Sequence, residues 1–399
     1  MDRRKNVLFL PRWYPNRYDP MPGLFIRRHA LSVSVKYNVS VLYVHLSPSG
    51  QQQKFEVLRS NDSGIHELTV YCKASNCKPG ILASIINLIR FFRAHIAGFR
   101  LISKEVGQPD IIHVNVLTRL GVIALVYKWL TGIPYVITEH WTRYLPGMDN
   151  FNGLFRKLLT RTVVRHASAV MPVTENLKNA MISHGLTNDN YRVIPNVVDT
   201  SLFVPDHSNE GRPQASILHV SCFDDRQKNI TGILSVLKRL SEKRTDWHCT
   251  MVGEGIDFEK IVAYAQSLGL SGTMVDFTGL KENEELARLM QQADFQVMFS
   301  RYENFPVVIP ESFACGVPFI STHVGGIAEY IHEEQGLLVK SEDEDALLSA
   351  IEDLIDHHGR YNPESIRKYA IDNFSNEVIG NQIAAVYQDV LARKKNTND

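Results

Sequence analysis

Short runs of branched and aromatic apolar residues alternate along the chain with longer segments whose apolar positions recur every three or four residues. Runs of the first kind fit strands buried on both faces, and segments of the second fit helices packed on one side. In the first half, strands are predicted over residues 6–10, 39–45, 110–115, 134–138 and 169–172, with a strand or hairpin inside 51–72. Helices are predicted from Gly23 and over 81–104, 119–129, 152–166 and 175–184. Residues 12–23 are predicted as a loop, because Pro15, Pro20 and Pro22 each remove a backbone donor and fix φ. A polar stretch at 206–215 reads as a linker. Beyond it, strands are predicted over 216–221, 247–252, 275–278, 295–299, 319–321 and 337–339, and helices over 230–240, 257–268, 283–293, 345–357 and 376–395. Ser341 and Glu344 have the spacing of a capping box for the helix at 345.

Strand–helix units repeated in both halves predict an α/β fold of two doubly wound, Rossmann-like domains, residues 1–200 and 201–375. Such sheets bind ligands at the carboxyl ends of their strands. Just past the strand at 295–299, Glu303 falls in a loop, Asn304, Phe305, Pro306 and Val307 lead into a predicted helix, and Glu311 lies one to two turns inside it. Pro306 suits a first helical turn, and a helix start offers free amides and a positive dipole end to an anion. Phosphate would favour the amides, and sugar hydroxyls the two carboxylates. Glu311 sits in an apolar run, where an unpaired charge would be costly. His140, just past the strand at 134–138, is a site candidate or a turn-forming polar residue. The strand at 6–10, its loop and the helix opening at Gly23 form either an anion site or an ordinary turn. Gly253-Glu254-Gly255 is a fragment of a dinucleotide-binding fingerprint, and no phosphate-binding loop of the G-x-x-x-x-G-K type occurs.

With 44% apolar and 22% charged residues, the composition is that of a soluble globular chain. No apolar run is expected to span a bilayer, and the apolar run at 6–10 is too short for a signal-peptide core. The five cysteines are scattered and odd in number, which fits a reducing cytoplasm. Cys72 and Cys77, with only His66 nearby, are too few for a zinc site. Net charge is zero but unevenly spread: residues 1–199 hold 25 Lys and Arg against 12 Asp and Glu, the remainder 18 against 31. The helix at 81–104 is amphipathic and basic. It fits either an anionic membrane surface or an interior helix with a solvated basic side. Nothing resembles an aromatic-basic RNA motif or a recognition helix, so nucleic acid is not an expected partner.

Read in order, Pro195-Asn196-Val197-Val198-Asp199, Val252-Gly253-Glu254-Gly255, Phe277-Thr278-Gly279, the E-x7-E motif from Glu303 to Glu311, Gly325-Gly326-Ile327-Ala328-Glu329 and Gly336-Leu337-Leu338-Val339 resemble the GT-B glycosyltransferases of retaining family 4 along most of the chain. The resemblance implies two Rossmann-like domains facing a cleft, with the C-terminal domain holding a nucleotide-sugar donor. The helix at 376–395 would cross back onto the N-terminal, acceptor-binding domain. It further implies that Glu303 meets the donor sugar, that the backbone N–H groups near Phe305, Pro306 and Val307 meet sugar or diphosphate, and that Glu311 meets the ribose. Lys228 matches the basic residue that neutralises the diphosphate, and His140 a position near the donor sugar. Three departures stand out. Phe223 occupies the position of an expected arginine, whose charge Arg226 would supply. Only Gly23 stands where a glycine pair is usual, and Val197 replaces a glycine. The implied activity is metal- and cofactor-independent sugar transfer to a glycan or lipid-linked acceptor in polysaccharide biosynthesis, at the cytoplasmic face of a membrane and in peripheral contact with it. A sugar phosphorylase, a nucleotide-sugar epimerase or a catalytically silent binding protein of the same fold are the alternatives.

Overall fold

The computed structural model describes residues 3–47, 55–117, 119–148, 150–206 and 214–398. Most of the polar stretch at 206–215 and the start of the strand region at 51–72 lie outside the described residues. The chain divides into two compact units. Unit 1 holds the chain to Val173, Lys178–Ile194 and the residues from Ile379, and unit 2 holds Thr174–Leu177 and Pro195–Val378.

Unit 1 is built on strands β1 (Asn6–Pro11), β2 (Asn38–Ser47), β3 (Phe55–Ser60), β4 (His66–Lys73), β5 (Ile111–Asn115), β6 (Tyr135–Glu139) and β7 (Ala169–Pro172). They form one sheet in the order β3-β4-β2-β1-β5-β6-β7, parallel except for the edge strand β3. Val7 of β1 sits between Val39 of β2 and Ile111 of β5. β1, β5, β6 and β7 are buried along their whole length, which is why they read as unbroken apolar runs and not as alternation.

The helix Gly80–Glu105 corrects the expectation that no segment reaches bilayer-spanning length: it is long and apolar enough by length and composition. It packs on β2 and β4, and its buried residues, Ala94, His95, Gly98, Phe99 and Ile102, all lie in its second half. The first half leaves Ile81, Ile85 and Ile89 exposed.

The C-terminal helix Asn376–Asn398 belongs to unit 1 from Ile379 onward. It is held by a polar contact inside the core. His113 on β5 hydrogen-bonds the Tyr387 hydroxyl through Nδ1 and Thr138 Oγ1 through Nε2, both at 2.6 Å. Burial pushes the His113 imidazole well below the usual histidine range, so it stays neutral and its two hydrogen bonds satisfy both ring nitrogens.

Unit 2 is built on β8 (Ala215–Val220), β9 (Trp247–Val252), β10 (Val275–Gly279), β11 (Phe295–Met298), β12 (Phe319–Thr322) and β13 (Gly336–Val339). All pair in parallel, in the order β10-β9-β8-β11-β12-β13. Two local expectations change. The helix Glu344–His357 is capped by Asp343, whose carboxylate accepts from the Ala346 amide at 3.0 Å, and not by Ser341. Glu342 takes a left-handed conformation (φ 63), so the chain turns there and Asp343 is the residue in reach of the first amides. The helix Pro363–Phe374 was not predicted from the pattern, although its signal is present: Asn362 accepts from the Ser365 amide at 3.1 Å and Pro363 begins the helix.

Tyr387→Phe leaves His113 Nδ1 buried without its partner. The expected cost is about 1–3 kcal/mol. It should appear as a lowered thermal midpoint with the far-ultraviolet circular dichroism of the folded protein unchanged.

Candidate active site

In unit 2 the strand order runs outward from β8 in one direction and from β11 in the other. The winding reverses between them, and the carboxyl ends of those two strands open a crevice. The loop after β8 carries Arg226 and Lys228, and the loop after β11 carries Glu303, so residues 75 positions apart meet there. The Lys228 ammonium and the Glu303 carboxylate form a buried ion pair through Oε1, which also accepts from Ser300 Oγ at 3.2 Å. Among the described residues Oε2 of Glu303 takes no hydrogen bond. Burial by itself would lower the Lys228 pKa; the Glu303 charge outweighs it and holds the ammonium above the ordinary lysine value.

Several contacts fix that pair. Lys228 ends the short helix Asp225–Lys228, and Asn229 follows in a left-handed conformation. The Asp225 carboxylate accepts from the Thr231 amide at 2.8 Å and its hydroxyl at 2.7 Å. Arg301, which the sequence did not single out, clamps the same turn. Its guanidinium donates to the Asp225 carbonyl and to Asn229 Oδ1, each at 2.7 Å, and to Glu342 at 2.8 Å. Its amide donates to the Gln227 carbonyl at 2.8 Å. No local pattern could have revealed this, since the partners lie on a different βα unit. Arg226 is exposed beside Lys228. Phe223 is fully buried against Phe258 and Phe277, in a place where a guanidinium would lose its hydration. Gly253 follows β9 with φ 139, and a Cβ there would stand 1.9 Å from the Ser221 carbonyl oxygen. Its part is to let the Lys228 loop lie against the sheet.

On the other side, Asn304 and Phe305 are buried and held by backbone contacts. Asn196 Nδ2 donates to the Phe305 carbonyl at 2.7 Å and the Gly326 amide to the Asn304 carbonyl at 3.2 Å. Gly325 has φ 55, and a Cβ on it would fall 1.6 Å from the Glu303 carbonyl oxygen. Because these residues are pinned, the helix starts later than expected: it spans Val308–Ala314, with Pro306 and Val307 half-buried at its opening. Glu311 therefore lies in its first turn, 2% exposed. Other residues of the motif series serve as caps. Asp199 closes its own turn on Ser201, and Glu329 accepts the amides of Glu175 and Asn176 at 2.7 Å.

His140 and Gly23 lie in unit 1, at the ends of β6 and of the loop after β1. Gly23 caps the helix Leu24–Ser34, and from that helix Phe25 and His29 pack on the His140 ring at 4.5 and 5.5 Å between centroids. Glu139, a residue the sequence did not flag, is fully buried and accepts the amides of Leu117, His140 and Trp141 at 2.9, 3.0 and 2.9 Å. Burial outweighs those donors and raises its carboxyl to about 7. A cleft of about 710 Å³ opens at the carboxyl ends of the same sheet, among Arg12, Trp13, His45, Leu120, Arg143 and Phe155. Among the described residues no group of three His, Cys, Asp or Glu side chains is placed to hold a metal ion.

Residues 206–373 match the family described as glycosyl transferases group 1, and residues 33–202 match glycosyltransferase family 4. The chain is 27% identical over 312 residues to the N-acetyl-alpha-D-glucosaminyl L-malate synthase of Bacillus anthracis, covering 73% of this chain and 78% of the relative. It is 25% identical over 350 residues to the MMP alpha-(1->4)-mannosyltransferase of Mycolicibacterium hassiacum, covering 79% and 82%. Among solved structures it resembles sucrose-phosphate synthase of Thermosynechococcus elongatus, with TM-score 0.77, 19% identity and coverage of 98% and 100%. It also resembles Anabaena HepE in complex with UDP and glucose, with TM-score 0.72, 17% identity and coverage of 97% and 100%.

Gly325→Ala must displace the Glu303 backbone, so donor binding should weaken more than the loss of a methyl-sized space suggests, by about tenfold or more in Kd. Isothermal titration with nucleoside diphosphates reads this. The raised Glu139 carboxyl binds a proton in the folded protein that the unfolded chain releases between its ordinary value and about 7. This group's contribution to stability is therefore lost as pH rises through that window. Fluorescence of Trp141, whose amide donates to Glu139, should titrate with a midpoint near 7, and Glu139→Gln should abolish that transition.

Proposed function

We propose, on the premise that this chain is a family 4 glycosyltransferase of the GT-B fold, that it moves a sugar from a nucleotide-diphospho-sugar to a glycan or lipid-linked acceptor with retention at the anomeric carbon. The observation that carries the donor half is the Lys228–Glu303 pair at the switch point of unit 2. It offers a cation for a diphosphate and an acceptor oxygen for sugar hydroxyls within one buried contact. That HepE, of the same fold, was solved with UDP and glucose supports a nucleoside diphosphate as the leaving group.

In the transfer, the acceptor hydroxyl oxygen bonds to the anomeric carbon on the face from which the diphosphate departs. The bond from that carbon to the diphosphate oxygen breaks, and its electron pair stays on the diphosphate. The hydroxyl proton passes to that same oxygen. Negative charge grows on the diphosphate, and the Lys228 ammonium stabilises it with no reorganisation, since Glu303 and the Arg301 clamp already hold its loop. Arg226 adds a second positive charge from the same turn. The backbone N–H groups of Phe305 and Val307, on either side of Pro306, serve the same charge, and Glu303 Oε2 fixes the sugar by accepting from its hydroxyls. Glu311 accepts from the ribose hydroxyls. No cofactor beyond the donor enters this sequence.

Release of nucleoside diphosphate from a panel of nucleotide-diphospho-sugars tests the reading. Lys228→Gln and Glu303→Gln should each lower kcat on the order of 10²–10³-fold. Circular dichroism melts run in parallel, because a buried partner left unpaired also costs stability, on the order of 3–5 kcal/mol. Activity should survive EDTA, and proton NMR of the product should give the donor's anomeric configuration. Failure of every donor, or unchanged kcat in both variants, overturns the proposal.

A further inference from the structure

We propose that the cleft of unit 1 takes the phosphate-bearing head of a membrane lipid, and that this lipid carries the acceptor sugar; the inference rests on the transferase reading above and names its acceptor class. The cleft has two chemistries. Leu88, Phe91 and Phe92 of the helix Gly80–Glu105 and Phe155 and Leu159 of the helix Leu154–His166 make apolar walls, while Arg12, Arg119, Arg143 and Arg156 bring guanidinium groups. Among the described residues that line it there is no Asp or Glu. Arg119, Arg143 and Arg156 make no ion pair among the described residues, and Arg143 Nε is buried without a hydrogen-bond partner. Burial is the largest influence on Arg12 and Arg143 and pushes both pKa values down; the buried Glu139 charge opposes it, and neighbouring arginines add to it. Fork-like guanidinium donors match phosphate oxygens. The site also lies where a doubly wound sheet takes its ligand, at the carboxyl ends of β1, β2 and β5.

A water-soluble glycan would be met by polar side chains along the walls. Here the apolar lining instead continues out of the cleft onto the surface. Phe155 lines the cleft and is 79% exposed, and beside it Leu154 and Leu158 are exposed as well. On the helix Gly80–Glu105, Leu88 lines the cleft, Ile85 and Ile81 extend the apolar side toward the helix start with spacings of three and four residues, and Ile89 is exposed next to Leu88. These two helices carry Arg90, Arg93, Arg100, Lys104, Arg156, Lys157, Arg161 and Arg165, and their only acidic residue is Glu105. Exposed apolar residues and basic residues on the same helices fit an anionic bilayer surface, on which an aliphatic chain passes from the bilayer to the cleft without crossing water. This commits the phosphate to a lipid-borne source; free phosphate would have no use for the apolar walls.

Decyl phosphate is the probe for the cleft, read by fluorescence of the wild-type protein, whose Trp13 and Trp141 flank Arg12. Decyl phosphate should bind about tenfold or more tightly than inorganic phosphate or decanol, and Arg119→Ala with Arg156→Ala should weaken it by a similar factor. Equal binding of inorganic phosphate overturns the lipid assignment, and equal binding of decanol overturns the role of the arginines. Co-sedimentation with phosphatidylglycerol-rich vesicles should exceed that with phosphatidylcholine vesicles and fall about tenfold in the surface variant Ile85→Glu with Ile89→Glu. Sedimentation that ignores lipid charge or that variant overturns the membrane path. Nucleoside diphosphate binding by the wild type is measured alongside: if it occurs while decyl phosphate fails, this inference alone falls, and if it too is absent, the donor reading falls with it.

Discussion

Two opposite charges taken out of water each lose several kcal/mol of hydration, and their mutual attraction repays this only when geometry is tightly held. The Lys228–Glu303 contact is such a pair, and much of the architecture around it is explained by the need to hold it. The two residues arrive on loops from β8 and β11, which are neighbours only because the sheet is doubly wound. Arg301 joins the two loops by side-chain and backbone bonds, Asn196 pins the chain just after Glu303, and Gly325 gives that backbone room. A pair of this kind contributes little net stability, so its retention is better understood through what it presents: an ammonium with its charge maintained and a carboxylate oxygen with no partner among the described residues.

Unit 1 follows the opposite electrostatic rule. Its buried carboxyl, Glu139, is raised toward neutrality by burial although three amides point at it, and its cleft gathers arginines with no acidic residue among those described in its lining. The excess of basic residues over 1–199 and of acidic residues beyond is thus more than a bulk property. In unit 1 part of the excess lines a cavity and two partly apolar helices. In unit 2 the acidic surplus is spread over exposed helix faces and caps, as at Asp343, Glu344 and Asp345.

Particular residues show where reading the sequence succeeded and where it stopped. Strands buried on both faces are apolar throughout, so β1, β5, β6 and β11 were visible as runs, and the parallel α/β class followed from their alternation with helices. The E-x7-E stretch was visible because its residues are consecutive and its turn chemistry is local. Arg301 and Glu139 were not, since each acts through partners on other βα units, and a hydrogen bond to a distant backbone leaves no periodic trace. The helix at 81–104 read as amphipathic and basic, and no apolar run was expected to reach bilayer length. In the folded unit only its second half is buried, and the apolar first half stands exposed.

Local spacing and residue type, then, sufficed to determine the fold class and most helices and strands, and to single out the stretch from Glu303 to Glu311 as a candidate site. Those properties depend on backbone preference and on burial of nearest neighbours, which a linear chain records directly. Which loops meet was decided only by the tertiary structure. Strand order brings Lys228 onto Glu303, core packing takes Phe223 away from the site, and the fold of unit 1 turns separate arginines and leucines into one two-sided cleft. Charge and desolvation act through space, so their outcome at these sites existed only once the chain had closed around them.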